Sequence, residues 1–373
     1  MVVCRVPSVK ATTHDRADGR ADRSPFVTLR VLRMVTEAGR DDEGTPMTPR
    51  DHAFWLRAPG DGEIRPVEVG PPGPGEVLVR TLFSGLSRGT ETLVFRGEVP
   101  PSQYAVMRAP YQEGDFPAPV KYGYLNVGRV EQGPATLVGR TVFCLYPHQT
   151  RYVVPADAVT VVPETVPARR AVLAGTVETA VNALWDAAPL LGDRIAVVGA
   201  GMVGATVAAL AAGFPGVRVE LVDVDPDRAR VAAALGVGFA HPDTATGDCD
   251  LVLHASATAA GLARSLELLA VEGTVVDLSW YGDRPITVPL GEHFHSRRLT
   301  VRSSQVGLVS PARRDRRGYA GRLAVALDLL ADDRFDALLT GESDFADLPR
   351  VLSRLAAGEL PASCHVIRYP TGG

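Results

Sequence analysis

Arg194-Ile-Ala-Val-Val-Gly-Ala-Gly-Met-Val-Gly204 is a short apolar run that breaks into glycines and resumes as an alanine-rich helix. Its pattern is strand, turn, helix, with Gly199, Gly201 and Gly204 in the spacing of a dinucleotide-binding fingerprint. In that motif the first glycine permits the tight turn, the second lets backbone approach a pyrophosphate, and the third lets helix pack on strand. Met202 and Val203 then open a helix whose unpaired N–H groups and positive dipole end face the same anion.

The context of the glycines agrees. After the helix Met202 to Ala212 comes a second strand, Val217 to Asp223. Asp223 thus falls about 20 residues past the motif, where an acid meets the adenosine ribose hydroxyls. A carboxylate there repels a 2′-phosphate, so NAD(H) is expected over NADP(H). Arg228, just inside the following helix, reads as a ribose or adenine-face contact. Glycines serving packing alone in an ordinary βαβ unit are the plainer alternative.

At 373 residues the chain is long enough for two domains with proper cores. A net charge of -4 gives no basic footprint for nucleic acid. Arg313, Arg314, Arg316 and Arg317 cluster, but so short a run reads as a solvated turn. Cys4, Cys144, Cys249 and Cys364 stand singly, without metal-ligand or disulfide spacing, which suits a reducing cytoplasm. No stretch is apolar enough to span a bilayer, so no membrane partner is expected. Residues 1–50, rich in Arg, Asp and Thr, read as a disordered leader. Met34 and Met47 leave open a translation start set too far upstream, and a targeting peptide is the weaker reading.

From Ala53 short alternating segments recur between Gly/Pro turns. Phe54 to Arg57 and Ile64 to Val69 read as a hairpin, followed by strands at Glu76 to Leu82, Val127 to Gln132, Arg140 to Leu145, Thr150 to Pro155 and Val159 to Val162. This density predicts a partly open β-barrel. Ala171 to Ala188 carries apolar residues at helical spacing and leads into the glycine strand. Beyond it, strand and helix alternate: helix Pro226 to Leu235, strand Asp250 to His254, helix Ala259 to Ala270, and strands Gly273 to Leu278 and Leu299 to Ser303. That alternation predicts a doubly wound parallel sheet, an α/β fold. Tyr319 to Leu330 reads as a helix, and Ser363 to Tyr369 as a strand returning to the first domain.

This order of parts resembles the medium-chain dehydrogenase/reductase superfamily. The supporting segments are Pro74-Gly-Glu-Val-Leu-Val79, Tyr152-Val-Val-Pro-Ala156 with Val162-Pro163, the Gly199 fingerprint and the apolar strand ending in Asp277. Ser84-Gly-Leu-Ser-Arg-Gly-Thr-Glu91 with Gly123-Tyr-Leu-Asn-Val-Gly128 is most similar to the branch containing 2-desacetyl-2-hydroxyethyl bacteriochlorophyllide dehydrogenase. The resemblance implies a GroES-like catalytic domain over residues 51–185, a Rossmann NAD-binding domain over 186–305 and a C-terminal return over 306–373. Zinc members of the superfamily place ligands at positions that correspond here to Ser87, to Tyr124 with Leu125, and to Gly175. None is a good zinc ligand, and the four-cysteine structural lobe is absent, so no metal is expected. Glu178 or Glu91 joining His148 is the one arrangement that would rebuild a site.

Hydride transfer to a carbonyl leaves an alkoxide, which needs a Lewis acid or a proton donor. Tyr124, at a lost ligand position, is the first candidate donor, or else an aromatic filling the hole. Ser87 and Thr90 either cap a turn or hold substrate. His148, in a Pro-containing turn, is a proton relay or a structural histidine. Glu178 and Asn182 share one helix face and point either at the nicotinamide or at a satisfied helix end, and Thr179 resembles a family threonine near that ring. His293 and His295 make a weak metal pair, better suited to a substrate edge or the surface.

Between Arg96 and Phe116, Tyr104, Met107, Tyr111 and Phe116 either wall a bulky substrate or pack the barrel rim. Trp280 and Tyr281 follow a sheet strand at its carboxyl end, where ligands bind in such folds. The expected activity is a zinc-independent NAD(H)-dependent alcohol dehydrogenase or ketone reductase acting on a bulky small molecule. A quinone or enone reductase and an inactive NAD(H)-binding redox sensor stand as alternatives. Leu299 to Ser303 is a candidate edge for a homodimer.

Overall fold

The computed structural model describes residues 51–370; the leader expected over residues 1–50 lies outside the described residues. The first elements of the described residues are the hairpin β1 (Asp51–Ala58) and β2 (Asp61–Val67), which pair antiparallel from Asp51↔Val67 to Ala58↔Asp61. Next come β3 (Glu76–Ser87) and a short helix α1 (Thr90–Phe95). Strands β4 (Glu113–Gly114), β5 (Val120–Lys121), β6 (Asn126–Gln132), β7 (Thr141–Cys144), β8 (Arg151–Pro155) and β9 (Thr160–Val161) complete the β-rich part. The helix expected over 171–188 is two helices, α2 (Ala168–Ala171) and α3 (Ala174–Ala187), the latter ended by Ala188 in the left-handed region at φ 50°.

Alternation then sets in: β10 (Arg194–Val198), α4 (Met202–Ala211), β11 (Arg218–Val222), α5 (Arg228–Leu235), β12 (Gly238–Ala240), β13 (Cys249–His254), α6 (Ala259–Leu268), β14 (Leu269–Asp277) and β15 (Thr300–Ser303). The chain closes with α7 (Tyr319–Leu329), β16 (Leu339–Asp344), α8 (Leu348–Ala356) and β17 (Cys364–Arg368).

The six-stranded sheet has the order β12-β11-β10-β13-β14-β15, and every pairing in it is parallel. A parallel sheet is covered on both faces, so its strands read as continuous apolar runs. Val197, Leu221, Leu253 and Val276 pack into one core together with Ala205 and Ala208 of α4. Ala196, Val198, Val222, Val252 and Val275 pack into a second with Leu262 and Leu266 of α6. Each such Leu or Val contributes about 1.5–3 kcal/mol by leaving water. The strand order reverses direction between β10 and β13, and in open α/β sheets that reversal opens the crevice where a dinucleotide lies.

A seven-stranded sheet, β16-β17-β3-β6-β7-β9 with β8 also on β3, and a four-stranded sheet, β2-β1-β5-β4, form the other part. β3 runs five residues past the expected end at Leu82. Ser84 to Ser87 has the composition of a turn, but β17 pairs antiparallel with it, from Cys364↔Ser87 to Arg368↔Phe83, and holds it extended. The C-terminal strand therefore returns to the β-rich part. No helix among the described residues is long and apolar enough to cross a membrane.

Candidate functional site

The three glycines differ in what a side chain would meet. Gly199 sits at φ +106°, where a Cβ would lie 2.6 Å from the Ser256 backbone N. A Cβ on Gly204 would lie 1.9 Å from the Gly199 carbonyl oxygen, so helix α4 can seat on β10 only with glycine there. At Gly201 a Cβ would meet nothing within 4 Å, and its φ of -72° suits any residue. Turn and packing thus account for the first and third glycines. The second faces open space at the N-terminus of α4, a cradle that a side chain would fill and a diphosphate fits.

Asp223 directly follows β11, beside the glycine turn. Its Oδ2 accepts the Ala200 N–H at 2.6 Å and its Oδ1 the Asp225 N–H at 2.9 Å. A carboxylate oxygen has two lone-pair sites, so each retains one for a ribose hydroxyl. Arg228 is engaged within the chain rather than free for ribose or adenine: Nε bonds Asp225 at 3.1 Å and Nη1 bonds Ser363 at 3.1 Å, with the residue buried.

A second polar cluster forms where β3, α1 and the turn before β8 meet. His148 Nε2 is 2.7 Å from Glu91 Oε1, and His148 Nδ1 is 2.7 Å from Ser84 Oγ. Ser84 Oγ is in turn 3.0 Å from the Tyr369 hydroxyl, and Glu91 Oε2 accepts the Ser87 N–H at 2.6 Å. All of these side chains are buried, His148 to 1 % exposure. A carboxylate only accepts, so in the tautomer with its proton on Nε2 His148 donates to Glu91 and its Nδ1 accepts from the Ser84 hydroxyl. Ser84 oxygen then accepts from Tyr369, giving one directed chain from Tyr369 through Ser84 and His148 to Glu91. Gly123 makes room for the ring: at φ +141°, its Cβ would lie 2.8 Å from His148 Cδ2.

Tyr124 stands beside this chain and hydrogen-bonds the side chains of Ser87 and Thr90. The three groups singled out in sequence are therefore together. Burial first, and the Glu91 charge second, push the Tyr124 phenol far above its ordinary range, so it stays a neutral donor. The adjoining Tyr122 hydroxyl is buried with no hydrogen-bond partner, beside Glu91 and His148 in the lining of a small cavity.

Glu178 is a correction. It joins neither His148 nor the hydroxyl cluster but the fully buried Arg322, Nε to Oε1 at 3.1 Å. Arg322 also bonds Asn182 Oδ1 at 2.6 Å and the Val306 carbonyl at 2.6 Å. The pair pins α3 to α7. Burial raises the Glu178 carboxyl against the opposing pull of Arg322, and its Oε2 has no partner. Thr179 is buried on the same helix. Ser84 and Tyr369 escaped the sequence reading, since only the β3–β17 pairing joins residues 285 positions apart.

Among the described residues no three His, Cys, Asp or Glu side chains converge as a metal site. A Cβ at Gly175 would lie 2.6 Å from Leu125 Cδ2, so an apolar side chain occupies the space between these positions. His293 is half-buried and His295 exposed. Tyr104, Phe116, Tyr122 and Tyr124 form a ladder of ring contacts 5.7–6.0 Å apart, so the first two pack as rim. Arg313 to Arg317 are exposed, as a solvated turn should be.

No protein-family model matches the chain. The fold is shared with solved structures. One is a short chain alcohol dehydrogenase from Escherichia coli CFT073 complexed with NADH, with 18% identity, 85% of this chain and 99% of that one covered, and TM-score 0.68. A second is 2R,3R-butanediol dehydrogenase from Bacillus subtilis, with 17% identity, the same coverage of 85% and 99%, and TM-score 0.69. A third is an alcohol dehydrogenase from Thermus sp. ATN1, with 20% identity, 86% and 100% covered, and TM-score 0.66.

Proposed function

We propose that this chain is a nicotinamide-dependent oxidoreductase of the medium-chain dehydrogenase/reductase superfamily, zinc-independent and selective for NAD(H). Its substrate is a secondary alcohol/ketone pair on a bulky metabolite. The observation that carries the reading is the division of labour among the glycines: two are required by the fold, whereas a Cβ on Gly201, at the start of α4, would meet nothing within 4 Å, which leaves room there for a diphosphate. The alcohol dehydrogenases that share the fold support the coarser part of this reading, a nicotinamide-dependent oxidoreductase.

The bound coenzyme supplies or accepts the hydride. The chain's residues do the rest. Gly201 and the first N–H groups of α4 hold the diphosphate, and Asp223 holds the adenosine ribose and repels a 2′-phosphate. Tyr124, kept neutral, donates to the carbonyl oxygen, with Ser87 and Thr90 orienting its hydroxyl. Glu91 fixes the tautomer of His148 and the backbone of Ser87, and so sets where the hydroxyl cluster stands. Such a donor supplies about 10²–10⁴ in rate.

Calorimetry with NADH and NADPH, followed by turnover on saturated ketones beside enones and quinones, tests this reading. Tight NADH binding with turnover of bulky ketones is the expected result, and preference for NADPH with enone reduction would replace it with the quinone/enone reductase. One observation favours a second reading, an NAD(H)-binding redox sensor. Leu125 fills the centre where ligands would converge, and Tyr124 is only 5 % exposed. NADH binding without turnover over a broad panel would favour it. β15, exposed along its length at the edge of the parallel sheet, is the surface on which two copies would pair, and sedimentation tests that.

A further inference from the structure

Lysine is rare in this chain. Of the 39 lysine and arginine residues 37 are arginine, and the two lysines are Lys10 and Lys121. Lys121, the one within the described residues, is buried at 2 % exposure. It ends β5 directly opposite Glu113 of β4. Its Nζ bonds a Glu113 carboxylate oxygen and, at 2.7 Å, Gln149 Oε1. The same nitrogen stands 5.3 Å from the centre of the Tyr146 ring, which stacks on Tyr152 at 3.8 Å.

These side chains line a cavity of about 430 Å³, walled on another side by residues 67–71. That volume falls within the roughly 300–1,000 Å³ of small-molecule sites. The cavity is separate from the hydroxyl cluster. Tyr122 and His148 line the small space beside Glu91, whereas their chain neighbours Lys121 and Gln149 line this one. Successive side chains of an extended segment point to opposite sides, which parts the two spaces.

A buried cation that served only to pair with Glu113 would be better supplied by arginine, whose planar fork takes a carboxylate in two bonds and is more weakly hydrated. The chain uses arginine in that way at Arg170 on Asp336 and at Arg151 on Asp51. What lysine has and arginine lacks is a nitrogen that can give up a proton and present a lone pair. Burial, the leading influence, pulls the Lys121 ammonium below its ordinary 10.5 against the opposing pull of Glu113. Glu68 and Glu113, both exposed residues, give the cavity two carboxylates that repel an anionic ligand.

We propose that Lys121 is the nucleophile of a carbonyl-capturing site, forming a reversible imine with a small neutral aldehyde in this cavity. The Nζ lone pair attacks the carbonyl carbon, and the π electron pair moves to oxygen. Glu113 takes a proton from the nitrogen and passes it to that oxygen, giving a carbinolamine. The remaining N–H proton then passes by the same carboxylate to the hydroxyl, which leaves as water while the nitrogen lone pair closes the C=N bond. Amine and aldehyde become imine and water, and no oxidant or reductant enters. The site lies apart from the glycines, so the inference does not depend on the coenzyme reading above.

The test incubates the full chain at neutral pH with benzaldehyde and sodium cyanoborohydride, which fixes an imine as a secondary amine, and maps lysine adducts by peptide mass spectrometry. In the folded chain Lys121 should be labelled with saturating dependence on aldehyde, and about 10²-fold faster than Lys10, the low end of what a positioned proton carrier supplies. Glu113→Gln removes the carrier and should cut that labelling by about the same 10²-fold. 4-Carboxybenzaldehyde should label Lys121 more slowly than benzaldehyde. Labelling that appears only after the chain is unfolded in urea would show a structural cation and overturn the inference. So would labelling at the Lys10 rate that rises linearly with aldehyde. A carboxylate that labels as fast as benzaldehyde would overturn the ligand class, and undiminished labelling in Glu113→Gln the role of Glu113.

Discussion

His148 Nε2 and Glu91 Oε1 face each other at 2.7 Å with neither side chain in contact with water, and Glu91 Oε2 simultaneously accepts the Ser87 N–H. Both carboxylate oxygens are thus placed against donors. Glu91→Gln sets an amide between two N–H groups and can satisfy only one. The orphaned donor costs about 1–3 kcal/mol. The expected outcome is a lower urea midpoint with an unchanged m-value, and turnover that falls with it because the hydroxyl cluster stands on Ser87. An unchanged midpoint would show that the pair is not held in this form.

Tyr124→Phe removes a hydroxyl and leaves the ring in its ladder. Coenzyme Kd should not move, since the ring lies on the β-rich part and the glycines on the other. kcat should fall about 10²-fold or more if the phenol is the donor. Unchanged turnover across two ketone substrates would remove Tyr124 from the chemistry and leave it as the filler of a hole.

The glycine segment was legible because its signal is local: turn, helix start and acid all fall within 30 residues and each has a separate physical requirement. The same holds for Gly236, which ends α5 in the left-handed region at φ 73° as capping rules demand. The His148 chain was half legible. His148, Ser87, Thr90 and Tyr124 stand out by residue type, whereas Ser84 and Tyr369 acquire meaning only from strand pairing across the length of the chain. Glu178 misled for the opposite reason. Its helix face was read correctly, but the residue that claims it, Arg322, lies 144 positions away on a helix with no motif.

Arg322 and Glu178 are 0 % and 2 % exposed at the side chain, so removing one strands the other. Arg322→Met should cost about 3–5 kcal/mol. Adding Glu178→Leu to it should restore part of that loss, because two apolar groups need no partner. A double variant less stable than the single one, by denaturant unfolding, would contradict the pairing as the source of the cost.

The acid limb of stability carries a definite sign. The side-chain bond from Arg170 holds the Asp336 carboxyl below its usual 3.8, so the folded chain binds that proton less tightly than the unfolded one. The contribution is fully present above the unfolded value and is lost as pH falls through the folded one. Asp336 is half exposed, so solvent screening keeps it at or below about 1 kcal/mol. Asp336→Asn should make the urea midpoint less steep between pH 5 and 3 and leave it nearly level above pH 5. A steeper acid limb in the variant would reverse the assignment.

Gly201→Ala separates ligand from fold. The position has ordinary φ and no atom within 4 Å of a Cβ, so the variant should unfold at the same denaturant concentration as the wild type, within about 0.5 kcal/mol. Gly204→Ala is the contrast, since its Cβ would run into the Gly199 carbonyl at 1.9 Å and must push α4 off β10. If a diphosphate uses the open cradle, Gly201→Ala should weaken NADH binding at least tenfold while circular dichroism and the unfolding midpoint stay put. A variant that binds NADH as well as the parent would mean that the space beside Gly201 is not where the diphosphate lies, and the assignment of the crevice would have to be made again from Asp223 outward.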